Sequence, residues 1–372
     1  MKRILLTFAA LAAAILCSCS GEAPLIDDNF WLGADISGSG GQQKRGDLYY
    51  NEEGDEPVEI TRLMHDMGLN AVRLRVWVNP RRWGRAPGGS AEDDYLGMCN
   101  KEDVLYNALL AKELGMEVMV NFHYSDTWAD PAHQSIPAAW LGHDFETMKQ
   151  DLKAHTVETL KLLKDNGVNV KWVQVGNETT NGLLWNNQGD SVTVHMGHSK
   201  LDPVQYAGFL DAGYEAVKSV YPKAIVIVHL DNGYNQSLYD WNLGILEENG
   251  TRYDMVGMSL YPYWAARSGH EDADQVIADC MKNIAHVYER FGKESMIVET
   301  GAEVALEDPD KMAESIRQME LIVKSARSTP HCHGLFYWNP CCRPRGYRLG
   351  AFDMEGRPTG IMKAFTEGAR QD

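Results

Sequence analysis

Eight short runs rich in apolar residues, β-branched in part, recur along the chain: Asn29–Ser37, Ala71–Val78, Glu117–His123, Lys171–Val175, Ala224–Asp231, Met255–Leu260, Ser295–Gly301 and Gly334–Trp338. Their length and composition predict buried strands. Between them lie longer segments whose apolar positions repeat every three or four residues and which stop at glycine or at a polar pair. That pattern predicts helices over Glu56–Met67, Glu102–Leu114, Phe145–Lys164, Val204–Val220, Tyr239–Glu248, Asp274–Phe291 and Lys311–Ala326, with a closing helix over Thr359–Thr366. Strand–helix alternation of this length implies a parallel sheet with right-handed crossovers, and eight units close into a barrel. The predicted fold class is therefore α/β, a single (β/α)8 TIM barrel. An open doubly wound sheet would carry a Gly-rich phosphate turn after an early strand. Gly38-Ser39-Gly40-Gly41 lacks that spacing, and Gly38–Asp47 reads as loop.

The carboxyl ends of barrel strands line the active-site mouth, so polar residues there carry the functional signal. The fourth run stops at Gly176-Asn177-Glu178, and the seventh at Glu299-Thr300-Gly301. Two carboxyl groups facing each other, one protonated and one ionised, are what glycosidic bond cleavage requires. Read structurally, Glu178 opens a loop or caps a helix, and both glutamates pair with arginines. In the second run Arg73, Arg75 and Trp77 share one face. Inward arginines need carboxylate partners, and Glu178 or Glu299 could supply them. Trp128, Trp140, Trp185, Tyr261, Tyr263, Trp264 and Trp338 fall at or after strand ends. One such ring is ordinary core; several at one rim suit the C–H faces of sugars. His123 and His229, with Asp126, Asp231 or Glu299, could suggest a metal, but no two-His helical spacing is present. Neither metal nor cofactor is expected.

Composition narrows the setting. Met1-Lys2-Arg3 followed by the apolar run Ile4–Leu16 has the form of a secretory leader, too short for a membrane span of roughly 20 residues. Leu16-Cys17-Ser18-Cys19 resembles a bacterial lipoprotein processing box. It implies cleavage after residue 18, acylation of Cys19, a short tether over 19–28 and a catalytic domain over 29–372. The expected location is the bacterial outer membrane, lipid-anchored, at the cell surface or its periplasmic face; ordinary secretion is the simpler alternative. The 372-residue chain carries a formal charge of −17, which argues against nucleic acid, where phosphate binding needs the opposite sign. Of seven cysteines, two, Cys17 and Cys19, belong to the leader and its processing box; the spacing of Cys99, Cys280, Cys332, Cys341 and Cys342 discloses no pairing.

Six segments taken together, Gly33–Ser37, Val72–Val78, Phe122–Asp126 with Trp128–Pro131, Val175–Glu178, Ser259–Trp264 and Val298–Gly301, resemble the arabinogalactan endo-β-1,4-galactanases of glycoside hydrolase family 53. The resemblance covers nearly the whole chain after the leader. It implies a retaining mechanism with Glu178 as acid/base and Glu299 as nucleophile. It implies that Arg73, with Arg75 assisting, keeps Glu299 ionised and that Asn177 holds a ring hydroxyl. Tyr261 and His123 would then orient the carboxylates, and Trp338 would form the floor of the subsite. Asp126, Trp128, His229 and Asn232 are assigned to the cleft. Two departures stand out. Trp338-Asn339-Pro340 replaces a Trp-Glu common in the family, and the Ala302–Pro309 loop lacks the alternating oxygen ligands of a calcium site. The implied substrate is β-1,4-galactan or arabinogalactan, and a monomer is expected. Another glycosidase of the same clan, such as a mannanase, and a non-catalytic surface glycan-binding lipoprotein remain open.

Overall fold

The computed structural model describes residue 26 and residues 29–80, 96–186 and 195–367. Within them eight parallel strands close in sequence order, β8 pairing back onto β1. They are β1 Trp31–Asp35, β2 Ala71–Val76, β3 Glu117–Phe122, β4 Val170–Val175, β5 Ile225–Leu230, β6 Met255–Leu260, β7 Glu294–Thr300 and β8 Cys332–Trp338. Around them run α1 Ser39–Lys44, α2 Ile60–Asp66, α3 Lys101–Glu113, α4 Phe145–Asp165, α5 Pro203–Val220, α6 Gln236–Glu248, α7 Pro262–Arg267, α8 Ala273–Phe291, α9 Pro309–Ser328 and α10 Gly360–Glu367. The barrel expected from the hydrophobic pattern is thus the one observed.

Sequence chemistry explains why the helices start where they do. Asn100, Asp144, Asp202, Asn235, Asp272 and Asp308 each accept a backbone N–H of the first turn of α3, α4, α5, α6, α8 and α9. Each such cap contributes about 1 kcal/mol.

The strands divide their residues between two cores. One face packs on the helices; the other fills the lumen with an apolar plug of Met119, Trp172, Ile227, Met255, Val298 and Phe336. Gly33 leaves the space Phe336 occupies: a Cβ there would sit 2.2 Å from the ring. Towards the carboxyl ends of the strands the lumen turns polar, with Asp35, Arg73, Asn121, Gln174, His229 and Ser259 all buried. Buried polar atoms persist only when partnered, so this layer must be internally satisfied.

Local departures from the sequence reading have physical causes. Gly38–Asp47, expected as loop, contains α1, although its sequence has poor helix propensity. It is held by packing: Gly40 and Gly41 lie against Tyr106, Leu96 and Gly97, and Ser39 Oγ donates to Asn107 Oδ1 at 2.6 Å. The helix expected from Glu56 starts at Ile60 instead, because Pro57 bridges to Tyr50 and Glu59 caps the backbone N–H groups of Thr61 and Arg62. Tyr239–Glu248 extends back to Gln236, and Pro262–Arg267, left unassigned, forms a helical turn. Cys99, Cys280, Cys332, Cys341 and Cys342 are all free thiols. Cys19 and the leader lie outside the described residues.

Candidate active site

Glu178 reaches the barrel mouth through a strained turn. Gly176 (φ 83°) ends β4, and a Cβ on it would lie 2.4 Å from Thr179 Cγ2. Glu178 itself is left-handed, φ 46° and ψ 55°, a conformation that costs a non-glycine residue of order 1–3 kcal/mol and persists only where its surroundings enforce it. Here they do: Gln134 Nε2 donates to the Asn177 carbonyl at 2.8 Å, Asn242 Nδ2 to that of Thr180 at 2.8 Å, and Thr180 Oγ1 to Asp231.

Glu299 gets there by a different device. Val298 already belongs to the lumen plug, so strict alternation would turn Glu299 towards the helices. A bulge prevents this. Met258 pairs with Ile297 but Ser259 with Glu299, and on the other edge Ile297 pairs with Leu335 but Thr300 with Tyr337. The extra residue in β7 re-aims the side chain, as bulges beside active sites do.

Both carboxyls open into one cavity of about 460 Å³, whose lining includes His123, Trp128, Asp130, Asn177, Asp231, Asn232, Ser259, Tyr261, Trp264, Trp338 and Tyr347. Their surroundings differ. Glu299 Oε1 is 2.8 Å from Nη2 of Arg73, and Tyr261 donates to Oε2 at 3.2 Å. Burial raises the Glu299 carboxyl, Asp35 adds to the rise, and the Arg73 guanidinium and the Tyr261 hydroxyl pull it back. Among the described residues no cation is paired with Glu178. Burial pushes it well above the usual carboxylate range, the charges of Glu299, Asp231 and Asp130 push the same way, and only the Ser259 hydroxyl opposes. The proton of the pair therefore belongs on Glu178.

Its position follows from the hydrogen bonds. Nδ1 of His229 receives two N–H donors, the Glu178 backbone at 3.2 Å and Gln174 Nε2 at 2.9 Å. Burial and Arg73 hold that ring neutral, so its single proton sits on Nε2 and goes to Ser259 Oγ, 2.8 Å away. Ser259 in turn donates to Glu178 Oε1 at 2.6 Å. An oxygen that accepts in this way is the carbonyl-like one, which leaves the acidic proton on Oε2.

The expected site residues divide accordingly. Glu178, Glu299, Asn177, Trp128, Asn232, Tyr261 and Trp338 line the cavity together. Arg73 lies beneath it, bound to Glu299. Three expectations need correction. His123 lines the cavity but touches neither carboxylate: its Nδ1 accepts the Ala129 N–H at 2.9 Å and its Nε2 lies 3.2 Å from Asn121 Nδ2. His229, assigned to the cleft, does not line the cavity and is buried behind Glu178. Asp126 does not line the cavity; it accepts from the backbones of Asn79 and Ala138 at 2.9 and 2.8 Å and so ties the loops together. Arg75 has Asp35 as its nearest carboxylate and lies 3.9 Å over the Trp128 ring, while its charge still reaches Glu299, as expected of an assisting cation.

Of the aromatic residues, Trp128 and Trp264 present 40% and 45% of their surface, enough to receive a sugar face. Trp140 and Trp185 are buried filler, and Tyr263 faces a separate hollow beside α7. Among the described residues no three His, Cys, Asp or Glu side chains gather as metal ligands. Asp35, Asn121, Gln174 and Ser259 were not picked out, although their inward phase on β1, β3, β4 and β6 was a usable signal. Tyr347 sits in an irregular loop and gave none.

The family model of Glycosyl hydrolase family 53 matches residues 31–350. An arabinogalactan endo-β-1,4-galactanase of Humicola insolens is 30% identical over 329 residues, 83% of this chain and 89% of that protein. An uncharacterised protein of Niallia circulans is 32% identical over 300 residues, 80% of this chain and 75% of the relative. Among solved structures, a fungal β-1,4-galactanase superposes with a TM-score of 0.75 at 27% identity, covering 91% of this chain and 99% of that one. The family 53 catalytic domain of Ignisphaera aggregans gives 0.77 at 26%, covering 92% and 97%. An exo-β-1,4-mannosidase from Opitutaceae bacterium strain TAV5, at 16% identity and a TM-score of 0.64 over 94% of this chain and 61% of that one, shares the barrel alone.

Proposed function

The chain belongs to glycosyl hydrolase family 53, and from that premise we propose that it hydrolyses β-1,4-galactosidic bonds inside galactan and arabinogalactan chains with retention of configuration. The observation that carries the reading is the pair of unequal carboxyls in one cavity, Glu299 against Arg73 and Glu178 against no cation among the described residues. Glu299 attacks the anomeric carbon as Oε2 of Glu178 delivers its proton to the departing glycosidic oxygen. The bond that forms is a galactosyl ester; the bond that breaks is the glycosidic C–O.

Esterification removes the Glu299 charge, and with it the second largest influence raising Glu178. Having given its proton to the leaving group, Glu178 therefore stays ionised, and as general base it takes a proton from water and directs the hydroxide to the anomeric carbon, expelling Glu299. This exchange of roles is what retaining hydrolysis demands, and it operates with carboxyls about 5–5.5 Å apart. Asn177 Nδ2 gives one proton to the Ala129 carbonyl at 2.8 Å and keeps its other for a ring hydroxyl. Trp338 packs edge-on to Trp128 and Tyr347 at 5.5 and 4.7 Å, supporting a stacked galactose.

Reducing-end release from potato galactan, compared with mannan and xylan, tests the assignment. Release of short oligosaccharides from galactan alone supports it; equal or greater action on mannan transfers the site to another glycosidase activity, and binding without cleavage transfers it to a glycan-binding role. The reading extends to an exported, lipid-anchored protein, supported by the leader and Leu16-Cys17-Ser18-Cys19. A membrane-bound, acylated product that Cys19→Ala renders soluble is the expected result; an unmodified secreted chain would reject the anchor.

A further inference from the structure

Arg73 is wholly buried and divides its donors among four groups: Nε to Gln174 at 3.2 Å, Nη1 to Asp35 at 2.8 Å, and Nη2 to Asn177 and Glu299, both at 2.8 Å. Arg75, next along the same face of β2, places Nη1 3.9 Å from the other oxygen of Asp35 and Nη2 3.4 Å from the Cys99 thiol. Its Nε has no hydrogen-bond partner among the described residues. Asp35 therefore faces both guanidiniums, and the Ser37 backbone N–H fixes its Oδ1 at 3.0 Å. With Glu299 ionised and Glu178 protonated, this dry layer holds two cations and two anions. Without Asp35, both cations would bear on the one carboxylate that has to attack.

We propose that Asp35 is a positioning residue for the reaction: by gripping Nη1 of Arg73 and offsetting Arg75, it limits the positive charge reaching Glu299 to about that of one guanidinium. The proposal rests on the assignment of Glu299 as nucleophile. A carboxylate under two uncompensated guanidiniums is ionised but a weaker nucleophile; under one, it is ionised and still reactive.

Among the described residues no carboxylate other than Asp35 is ion-paired with both guanidiniums. Asp126 accepts from the backbone N–H groups of Asn79 and Ala138, and Asp103, although its charge reaches Arg75, has its oxygens on the N–H groups of Gly97 and Cys99 and is not ion-paired with Arg73. Asp130 and Asp231 bear on Glu178 rather than on Glu299. Burial and the guanidiniums keep His123 uncharged, and His229 is neutral for the same reason. Tyr261 and Tyr347 are raised by burial and keep their protons, and the Cys99 thiol is pushed up to about 11.

The test is kcat/KM on galactan against pH, whose limbs report the free enzyme's acid and base. Asp35→Asn should move the acid limb, set by Glu299, down by about one pH unit, leaving the basic limb almost in place. Asp35→Glu should hold the limb at the wild-type position. Arg75→Met should move it up, and the double variant should return it towards wild type. A uniform loss of rate at every pH, with limbs unmoved and no restoration in the double variant, would overturn the proposal. If Asp35→Asn does not fold, Arg75→Met alone decides: an acid limb that stays put rejects it. Failure of the underlying reading shows separately, as turnover that survives Glu299→Gln.

Discussion

Replacing Ser259 by alanine probes the relay behind the acid. The hydroxyl donates to Glu178 Oε1 at 2.6 Å and accepts from His229 at 2.8 Å. A hydrogen bond to a charged group contributes about 1.5–3 kcal/mol and one to a neutral group about 1 kcal/mol. Alanine therefore removes about 0.5–2 kcal/mol more from ionised Glu178 than from the protonated form, on the order of one pH unit. The sign follows from the donor: Ser259 favours the carboxylate, so its loss raises Glu178 further above its already elevated position. The basic limb of the kcat/KM profile on galactan should move up by about one unit while the acid limb, set by Glu299, stays. Ser259→Thr keeps a hydroxyl and should leave both limbs near wild type. The substitution also strands the His229 Nε2–H, a loss of about 1–3 kcal/mol that lowers the melting temperature. A basic limb that stays put or falls, in a folded variant, refutes the relay and the placement of the acidic proton on Oε2.

Other consequences can be checked with the same substrate. Glu299→Gln should reduce turnover by several orders of magnitude while galactan affinity, measured by calorimetry or affinity electrophoresis, stays within a few fold. Glu178→Ala should cut the rate on galactan by about 10²–10⁴, and added azide should restore part of it as a β-galactosyl azide; no azide adduct, or an α-configured one, contradicts the acid/base role. Gly176→Ala places a Cβ against Thr179 at positive φ, so urea denaturation should show a loss of about 2 kcal/mol or more, with activity reduced because Glu178 shifts. Trp128→Ala should raise KM more than it lowers kcat, since the exposed ring binds sugar without touching the reacting atoms; a pure kcat effect would place it elsewhere in the mechanism.

Much of this was legible beforehand because it depends on local repetition. Eight apolar runs alternating with 3.6-period segments leave few architectures besides a closed barrel. A strand that ends in Asn177-Glu178 or Glu299 announces its site because polar groups are costly inside a strand and useful at its mouth. The inward phase of Arg73 and Arg75 required anions, and one anion was indeed Glu299. The partner shared by both arginines was not identified, although Asp35 stands at the end of β1 in the right phase. Charge alone could not choose among several carboxylates without knowing which strand lies next to which.

The sequence by itself determined the barrel, the two glutamates at its mouth and the need for buried counter-charges, since these follow from periodicity and from the cost of burying polar groups. The tertiary structure decided which neighbour each group meets. The β7 bulge turns Glu299 inward by one unpaired residue, a register choice made between strands that periodicity along one strand cannot encode. The left-handed turn at Glu178 is enforced by Gln134, Asn242 and Asp231 from distant segments. His229 lies behind the acid, and Asp126 in the loops, because hydrogen bonds from other strands and backbones claim them first. Chain order fixes what chemistry is present; closure of the sheet fixes which proton sits where, because only proximity in a dry interior gives one charge influence over another.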